Sequence, residues 1–244
     1  MPRADVVVIT WNDAATMLRT AIDSALAQPE VAQVIVVDNG SVPAAAVPDD
    51  PRIRLIVNEE NRGVAVARNQ GARAGTAEIV VLLDSDARLH DGALAALLAP
   101  FADYGVGMSV PRFVGQTPEA SAGAAPTLPR KVARVAGLTS EYKRTRPRST
   151  ESWWDVDFGI GACQVFRRAA FDAVGGIDET FFYGPEDVDF CLRIGAAGWR
   201  VVQLADEVCD HPPRRRNRSL FTRRGFAHVR AVARYLWRHR ARTP

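Results

Sequence analysis

Two aspartates separated by one residue follow an apolar run in the stretch Ile79-Val-Val-Leu-Leu-Asp84-Ser-Asp86. A continuous apolar run of this kind is typical of a strand buried on both faces of a parallel sheet. Carboxylates at its end lie at the carboxyl edge, where open α/β sheets bind ligands. Side chains at i and i+2 of an extended chain point the same way, so Asp84 and Asp86 can converge on one hard cation. On this stretch alone, two solvated aspartates that open a loop are an equally good interpretation.

Further charged or ligating residues accompany other predicted elements. Asp38 ends a strand, Arg68 lies on a helix, Glu186 and Asp187 lie near the start of another helix, and His211 follows the last strand. Together they supply hard-metal ligands, a candidate general base and a cation suited to phosphate. Each also has a structural explanation. Acidic residues such as Glu186 and Asp187 stabilise the positive end of a helix whether or not they react.

A mainly parallel, layered sheet is predicted to position these residues. Apolar runs predict strands over 6–10, 31–37, 53–57, 79–83, 163–166 and 200–204. Helical periodicity predicts helices over 14–27, with Asn12 or Asp13 as its cap, and over 59–74, 91–102, 168–174 and 181–197. This alternation is typical of an α/β fold with helices on both faces of the sheet. The first strand lacks a following GxGxxG, which argues against a dinucleotide-binding Rossmann domain.

Composition is consistent with one large α/β domain, alone or with an appendage. The chain has 244 residues, of which 47% are hydrophobic and 24% charged. It contains no apolar run near the ~20 residues of a membrane span, and its first residues lack the layout of a signal peptide. Its three cysteines (Cys163, Cys191 and Cys209) are widely spaced. They predict reduced, buried thiols in a cytoplasmic protein, and neither a disulfide framework nor a zinc site.

The C-terminal segment carries a concentrated positive charge. Residues 214–244 contain eleven arginines and no acid, so the rest of the chain carries −8 within the overall net charge of +3. The segment is predicted to form a basic amphipathic helix with an apolar stripe of Phe226, Val229, Ala233 and Leu236 and a cationic stripe of Arg230, Arg234 and Arg238. Docking of the apolar stripe on the domain is favoured over peripheral contact with the inner face of a membrane. A nucleic-acid partner is disfavoured, because no recognition module with interleaved aromatic residues is present.

Residues 112–150 differ from the rest of the chain. They are rich in Pro, Gly, Ala and Ser as far as Pro129, and basic beyond it. A loop of this length in a compact domain is usually functional or mobile. A disordered surface insertion is the alternative.

Short motifs recur in one order over roughly residues 5–211: Val8-Ile-Thr10-Trp-Asn12, Val36-Val-Asp38-Asn-Gly-Ser41, Asn61-Arg-Gly63, Ala67-Arg-Asn69-Gln-Gly71, Leu83-Asp-Ser-Asp86, Gly161-Ala-Cys163, Gly175-Gly-Ile-Asp178-Glu, Glu186-Asp187-Val-Asp-Phe-Cys-Leu-Arg193, Gly198-Trp-Arg200 and His211. The ordered set resembles the inverting nucleotide-sugar glycosyltransferases of glycosyltransferase family 2, which have the GT-A fold. Residues 175–189 are most similar to its rhamnosyltransferase-type members.

The resemblance implies a GT-A domain over residues 1–211, followed by an Arg-rich helical tail over 212–244. Residues 1–111 would form the nucleotide-binding half of the domain, and residues 112–211 the acceptor and catalytic half. In the first half, the implied donor contacts are Thr10 and Asp38 with the base, Arg68 with the nucleotide and its diphosphate, and Asp84 with the ribose.

The resemblance also implies a catalytic arrangement. Asp86 and His211 would hold Mn²⁺ or Mg²⁺ on the diphosphate, and Gly161 and Ala162 would line the donor sugar. Asp187 would be the general base, with Glu186 positioning the acceptor.

The implied activity is metal-dependent, inverting transfer from a nucleoside-diphosphate sugar to an acceptor hydroxyl. Within the resemblance, dTDP-rhamnose is the favoured donor and a UDP-sugar the alternative. The acceptor would be a glycan, a lipid-linked sugar or a small-molecule natural product. A non-catalytic sugar-nucleotide or polyanion-binding protein with the same fold is the competing hypothesis.

Overall fold

A computed structural model describes residues 3–116, 121–125, 152–212 and 223–239 of the chain. The strands are β1 (Ala4–Thr10), β2 (Val31–Asp38), β3 (Ile53–Val57), β4 (Ile79–Asp84), β5 (Arg88–Leu89), β6 (Val106–Phe113), β7 (Ala122–Gly123), β8 (Trp153–Asp155), β9 (Phe158–Gly159), β10 (Cys163–Arg167) and β11 (Arg200–Asp210). The helices are α1 (Ala15–Leu26), α2 (Val64–Ala74), α3 (Ala93–Leu98), a 3₁₀ turn (Ala99–Ala102), α4 (Arg168–Ala173), α5 (Glu186–Ala196) and α6 (Arg223–Arg238).

One mixed sheet organises the described part of the chain. Its strand order is β3-β2-β1-β4-β10-β6-β11-β5, and β8 pairs with β11. The β3-β2-β1-β4 half is parallel throughout, whereas β10 runs antiparallel to both of its neighbours, β4 and β6. The predicted α/β architecture with a mainly parallel sheet is therefore confirmed.

The helices form a layer on each face of the sheet, because successive strand residues point to opposite faces. In β1, Val6 and Val8 pack into a core with helices α1 and α3, whereas Val7 packs into a second core with α2, α4, α5 and α6. Burial on both faces explains why these strands are continuous apolar runs. All three cysteines are buried and free, as predicted.

The parallel strands β1, β2 and β4 end together at one edge of the sheet. Thr10 pairs in register with Asp38, and Ile9 pairs with Asp84. The register therefore brings three predicted site residues to the carboxyl edge.

Two predicted helices begin later than expected. Residues 59–63 form a loop, and α2 starts at Val64 after Gly63, whose φ of 90° lies outside the helical region. Residues 181–185 also form a loop, and α5 starts at Glu186. Gly184 has a φ of 53° and precedes a proline, and both features oppose helix formation.

Two strands depart from the prediction. The sequence did not indicate β6, because Gly107, Ser109 and Pro111 interrupt its apolar pattern. It nevertheless lies inside the sheet between β10 and β11 and crosses the predicted boundary between the two halves at residue 111. Strand β11 was predicted to end at Leu204 but continues to Asp210. Most of the loop predicted over 112–150 lies outside the described residues.

The C-terminal helix α6 docks on the domain, with Ala231 and Tyr235 buried in the second core. The predicted stripes are only partly correct among the side chains that the structure describes, and those of Phe226 and Val229 lie outside that set. Ala233 is exposed instead of buried, and Arg238, expected in solvent, forms ion pairs with carboxylates of the domain. Peripheral membrane contact, the alternative to docking, is not tested by the structure. Among the helices that the structure describes, none combines the length and hydrophobicity needed to cross a bilayer.

Candidate functional site

Ligand atoms of Asp84, Asp86 and His211 all lie within 4.8 Å of one another at the carboxyl edge. Asp84 is the last residue of β4 and Asp86 lies two residues beyond it. His211 comes directly after β11, whose last residues pair with β5. The imidazole of His211 packs against Phe113, with the two ring centroids 5.2 Å apart, and its Nε2 lies 3.7 Å from Asp86 Oδ1. Sheet pairing thus joins two segments that are far apart in sequence into one cluster.

This cluster is suited to a divalent cation. Two carboxylates provide the hard oxygen ligands that Mg²⁺ and Mn²⁺ prefer, and an imidazole is better matched to Mn²⁺. The side chains of Asp86 and His211 are 9% and 18% exposed, so they are held in place while one side stays accessible. Asp84, which the resemblance associates with ribose, also has an oxygen in the cluster.

Arg68 on α2 connects this cluster to α5. One guanidinium nitrogen donates to Asp84 Oδ1 at 2.9 Å and to the Gly161 carbonyl at 2.8 Å, and the other donates to Glu186 Oε1 at 3.1 Å. Burial alone would lower the pKa of Arg68, but the charges of Asp84 and Glu186 outweigh it and raise the pKa. The resemblance did not imply this bridging role. Contact of Arg68 with the diphosphate remains a prediction.

Asp187, the candidate base, lies half-buried in the first turn of α5. Its Oδ2 accepts the backbone N–H of Gly161 at 2.9 Å, and its Oδ1 accepts that of Val188 at 2.8 Å. Asp187 and Arg68 therefore bind the same residue, Asp187 at the N–H of Gly161 and Arg68 at its carbonyl oxygen. Ala162 accepts the backbone N–H of Asp84 at 2.9 Å, so the Gly161-Ala162 segment connects the cation cluster and the candidate base.

Glu186 is buried beside Asp187, and its Oε2 has no hydrogen-bond partner among the described residues. Burial is the largest cause that raises its pKa, to about 7, followed by the charge of Asp187, while Arg68 acts in the opposite direction. A carboxyl group with this pKa can be neutral at physiological pH. It would then be able to donate a hydrogen bond as well as accept one.

The two residues expected to contact the nucleobase of the donor, Asp38 and Thr10, have hydrogen-bond partners within the protein. Asp38 has no exposed surface, and its two oxygens accept the backbone N–H groups of Ser41 at 2.9 Å and Ala45 at 2.7 Å. The Thr10 hydroxyl donates to Asp13 Oδ2 at 3.2 Å. Asp38 therefore shapes the loop after β2, and its contact with the nucleobase of a donor remains a prediction.

Sequence reasoning missed the part played by Asp13. It was considered as a helix cap, but Ala14 occupies the N-cap position of α1 and makes no side-chain cap. The carboxylate of Asp13 instead accepts the Ser85 hydroxyl at 2.6 Å and the Trp11 backbone N–H at 3.3 Å. It ties the loop after β1 to the residue between the two aspartates. A carboxylate three residues after a strand end was the available signal, but it does not specify a partner 72 residues away.

Asn69, next to Arg68, anchors the other side of α2. Its side chain accepts the Ile177 backbone N–H at 2.9 Å and donates to the Ile177 carbonyl at 2.7 Å. These bonds fix the Gly-Gly-Ile-Asp-Glu turn that leads to α5. Adjacent residues of one helix thus hold the start of α5 and the turn before it.

Comparison with solved structures identifies the fold as GT-A. GalNAc-T7, crystallised with UDP, GalNAc and Mn²⁺, matches 97% of this chain and 48% of its own with a TM-score of 0.75 and 16% identity. The mannosyltransferase PcManGT of Pyrobaculum calidifontis, solved with GDP-Man and Mn²⁺, matches 88% of this chain and 58% of its own with a TM-score of 0.62 and 24% identity.

The chain belongs to glycosyltransferase family 2, whose profile (Glycosyl transferase family 2) matches residues 5–175. It is 34% identical over 207 residues to the pre-mycofactocin glycosyltransferase of Mycobacterium tuberculosis. The matched region spans 80% of this chain but only 40% of that protein. It is 30% identical over 233 residues to the N-acetylglucosaminyl-diphospho-decaprenol L-rhamnosyltransferase of the same organism, covering 84% of this chain and 75% of that protein. The predicted similarity to rhamnosyltransferase-type members is confirmed.

Proposed function

We propose that the protein transfers a sugar from a nucleoside-diphosphate donor to an acceptor hydroxyl, with inversion and with dependence on a divalent cation. The observation that carries the proposal is the placement of a cation-ligand cluster and a candidate base on either side of one peptide segment, Gly161-Ala162. On one side, the backbone N–H of Asp84 donates to the carbonyl of Ala162. On the other, the N–H of Gly161 donates to the carboxylate of Asp187.

Asp86 and His211, with Asp84 beside them, would hold the Mn²⁺ or Mg²⁺ ion. A bound divalent cation stabilises the negative charge that develops on a diphosphate leaving group. The ligand set supports this assignment, because two carboxylates and an imidazole lie within 4.8 Å of one another.

Asp187 would accept the proton of the acceptor hydroxyl as its oxygen attacks the anomeric carbon. Two backbone N–H groups orient the carboxylate, and its partial exposure leaves it accessible to an acceptor. General base catalysis requires a group within about 3 Å of the proton that it removes. A single carboxylate opposite the leaving group supports one displacement, which inverts the anomeric configuration. Glu186 would position the acceptor next to this base.

For the donor, we propose dTDP-rhamnose, with a UDP-sugar as the alternative. The similarity to an L-rhamnosyltransferase supports the sugar. The acceptor classes remain those that the resemblance implies: a glycan, a lipid-linked sugar or a small-molecule natural product.

A donor screen tests the proposal. Thermal shifts of the whole chain are measured with UDP, dTDP, GDP and their sugars, each with Mn²⁺, with Mg²⁺ or with chelator, and product formation is followed with a panel of acceptors. We expect stabilisation by one nucleoside diphosphate only when the cation is present, and transfer of its sugar. Binding without hydrolysis or transfer across the panel would favour the non-catalytic alternative. Equal shifts with chelator would contradict the metal dependence.

A further inference from the structure

The third carboxylate of α5, Asp189, lies two residues after the candidate base and has no exposed surface. A buried carboxylate is costly unless cations or hydrogen-bond donors compensate it. The residues that compensate Asp189 therefore stabilise α5 in its observed position.

Two of the residues that compensate Asp189 are Arg238, the last residue of the C-terminal helix α6, and His239, the residue after it. Arg193 of α5 donates to Asp189 Oδ2 at 2.7 Å, whereas Arg238 and His239 contact Oδ1 at 3.1 Å and 2.9 Å. A carboxylate can only accept, so Nε2 of His239 carries the hydrogen. Burial raises the pKa of Asp189, but the hydrogen bonds from His239 and Arg193 outweigh it and hold the pKa at about 2.

Arg238 also contacts the segment that leads into α5. It forms an ion pair with Asp178, and its guanidinium lies 5.9 Å from the ring centroid of Phe181. Tyr235, one turn earlier in α6, is fully buried and its ring centroid lies 4.9 Å from that of His239. The end of α6 is thus packed against α5 and against the turn before it, although both helices lie beyond the residues that match the family profile.

We propose that Arg238 and His239 are positioning residues for the candidate base, acting through Asp189. This inference depends on the proposed function only in naming Asp187 as the base. Helix α5 has eleven residues, and isolated helices of this length are marginal in water, so tertiary contacts decide where it sits. Its first turn carries three acids, held by Arg68, by Gly161 and, at Asp189, partly by α6. Release of Asp189 would let the helix shift. A displacement of about 1 Å at a catalytic group can cost about 100-fold in rate.

The test is a double-mutant cycle of Arg238→Ala with Asp189→Asn, together with His239→Ala, in the full chain. Arg234→Ala is the matched control, because Arg234 is an exposed arginine of the same helix. We expect Arg238→Ala to lower kcat at least tenfold with donor affinity changed less than twofold, Arg238→Lys to restore much of the loss, and Arg234→Ala to have no effect. In the Asp189→Asn background, Arg238→Ala should change kcat less than twofold, because the group through which it acts is already neutral.

Hydrogen exchange gives a readout that is independent of activity. In Arg238→Ala/His239→Ala, the amides of α5 should exchange faster than in the parent, while those of β1, β2 and β4 keep their protection. Unchanged exchange in α5, or an equal effect of Arg238→Ala with and without Asp189→Asn, would overturn the inference. A parallel loss of protection in β1, β2 and β4 would also overturn it, because it would indicate a general structural role. If the parent transfers no sugar, the exchange result still decides this inference and only the proposed function fails.

Discussion

The Oδ2 atom of Asp187 lies 2.9 Å from the backbone nitrogen of Gly161, and the carbonyl oxygen of the same glycine accepts Arg68 at 2.8 Å. One peptide segment therefore connects the candidate base to the arginine that holds Asp84. A Cβ at position 161 would lie 2.5 Å from Arg68 Nη1, so a larger residue there requires the guanidinium to shift. A change at Gly161 is expected to disturb both sides of the site together.

Gly161→Ala should therefore reduce transfer by about 10- to 100-fold, since displacement of Arg68 moves Asp84 and Glu186 as well. Overpacking of a buried site costs about 1–3 kcal/mol of stability. Steady-state kinetics and chemical denaturation measure the two effects. The matched control is Gly195→Ala in α5, where the added Cβ would meet nothing within 4 Å beyond its chain neighbours and the backbone of its own helix. Equal activity of the Gly161 and Gly195 variants would show that Arg68 does not have to keep its position.

Asp187→Asn should lower transfer by orders of magnitude while leaving donor binding intact. Amide nitrogen and oxygen preserve the size of the side chain but remove its basicity, and general base catalysis contributes about 10²- to 10⁴-fold. We expect kcat to fall within that range, with the donor dissociation constant from calorimetry changed less than twofold. Asp172→Asn, at an exposed aspartate of α4, is the control. Full activity of Asp187→Asn would refute its assignment as the base.

Asp86→Ala and His211→Ala should each weaken binding of Mn²⁺, because each removes one ligand from the cluster of Asp84, Asp86 and His211. Titration of free Mn²⁺ by electron paramagnetic resonance measures this directly, without donor. We expect at least a tenfold loss of affinity in both variants. Asp210→Asn is the neighbouring control, since the Asp210 carboxylate pairs with His90 at 3.0 Å and lies outside the cluster. A loss of Mn²⁺ binding in Asp210→Asn alone would relocate the cation site.

Much of the parallel half of the sheet was predictable, because burial on both faces requires continuous apolar runs. Strands β1, β2 and β4 were found this way, with the aspartates that end β2 and β4. Strand β6 was not, because its position between β10 and β11 depends on pairing partners that its own interrupted sequence does not encode. Local pattern is thus sufficient for the parallel half of the sheet, whereas in the other half it indicated β10 and the start of β11 but not β6.

The site was predictable as a set of residue types, but its connections were not. Asp84, Asp86, Asp187 and His211 were all singled out, and the structure brings the first, second and last of these together. The contacts of Arg68 with Asp84 and Glu186 join residues 16 and 118 positions apart. No periodicity encodes such pairs, so the sequence did not indicate the two carboxylate partners of Arg68, and its contact with the nucleotide and diphosphate remains a prediction. The same applies to Arg238, for which helical periodicity predicted only a solvated stripe.

The stability of the protein should depend on pH through Glu186. Its folded pKa of about 7 lies above its ordinary value of 4.5, chiefly because the side chain is buried. Protonation therefore favours the folded state. The contribution is fully present below pH 4.5 and is lost as the pH rises through about 7. At about 1.4 kcal/mol per pKa unit, the loss is about 3 kcal/mol.

The variant Glu186→Gln lacks this titrating group, so it does not lose stability in this way as the pH rises. The free energy of unfolding of the variant minus that of the parent should therefore rise by about 2–3 kcal/mol between pH 4.5 and 8. Other titrating groups are common to both proteins and largely cancel in the difference. Urea denaturation at a series of pH values, with chelator present throughout, supplies the measurement. Glu59→Gln, at an exposed glutamate, should give a flat difference. A flat difference for Glu186→Gln as well would mean that Glu186 is ionised in the folded protein across this range, and that Arg68 compensates its burial completely.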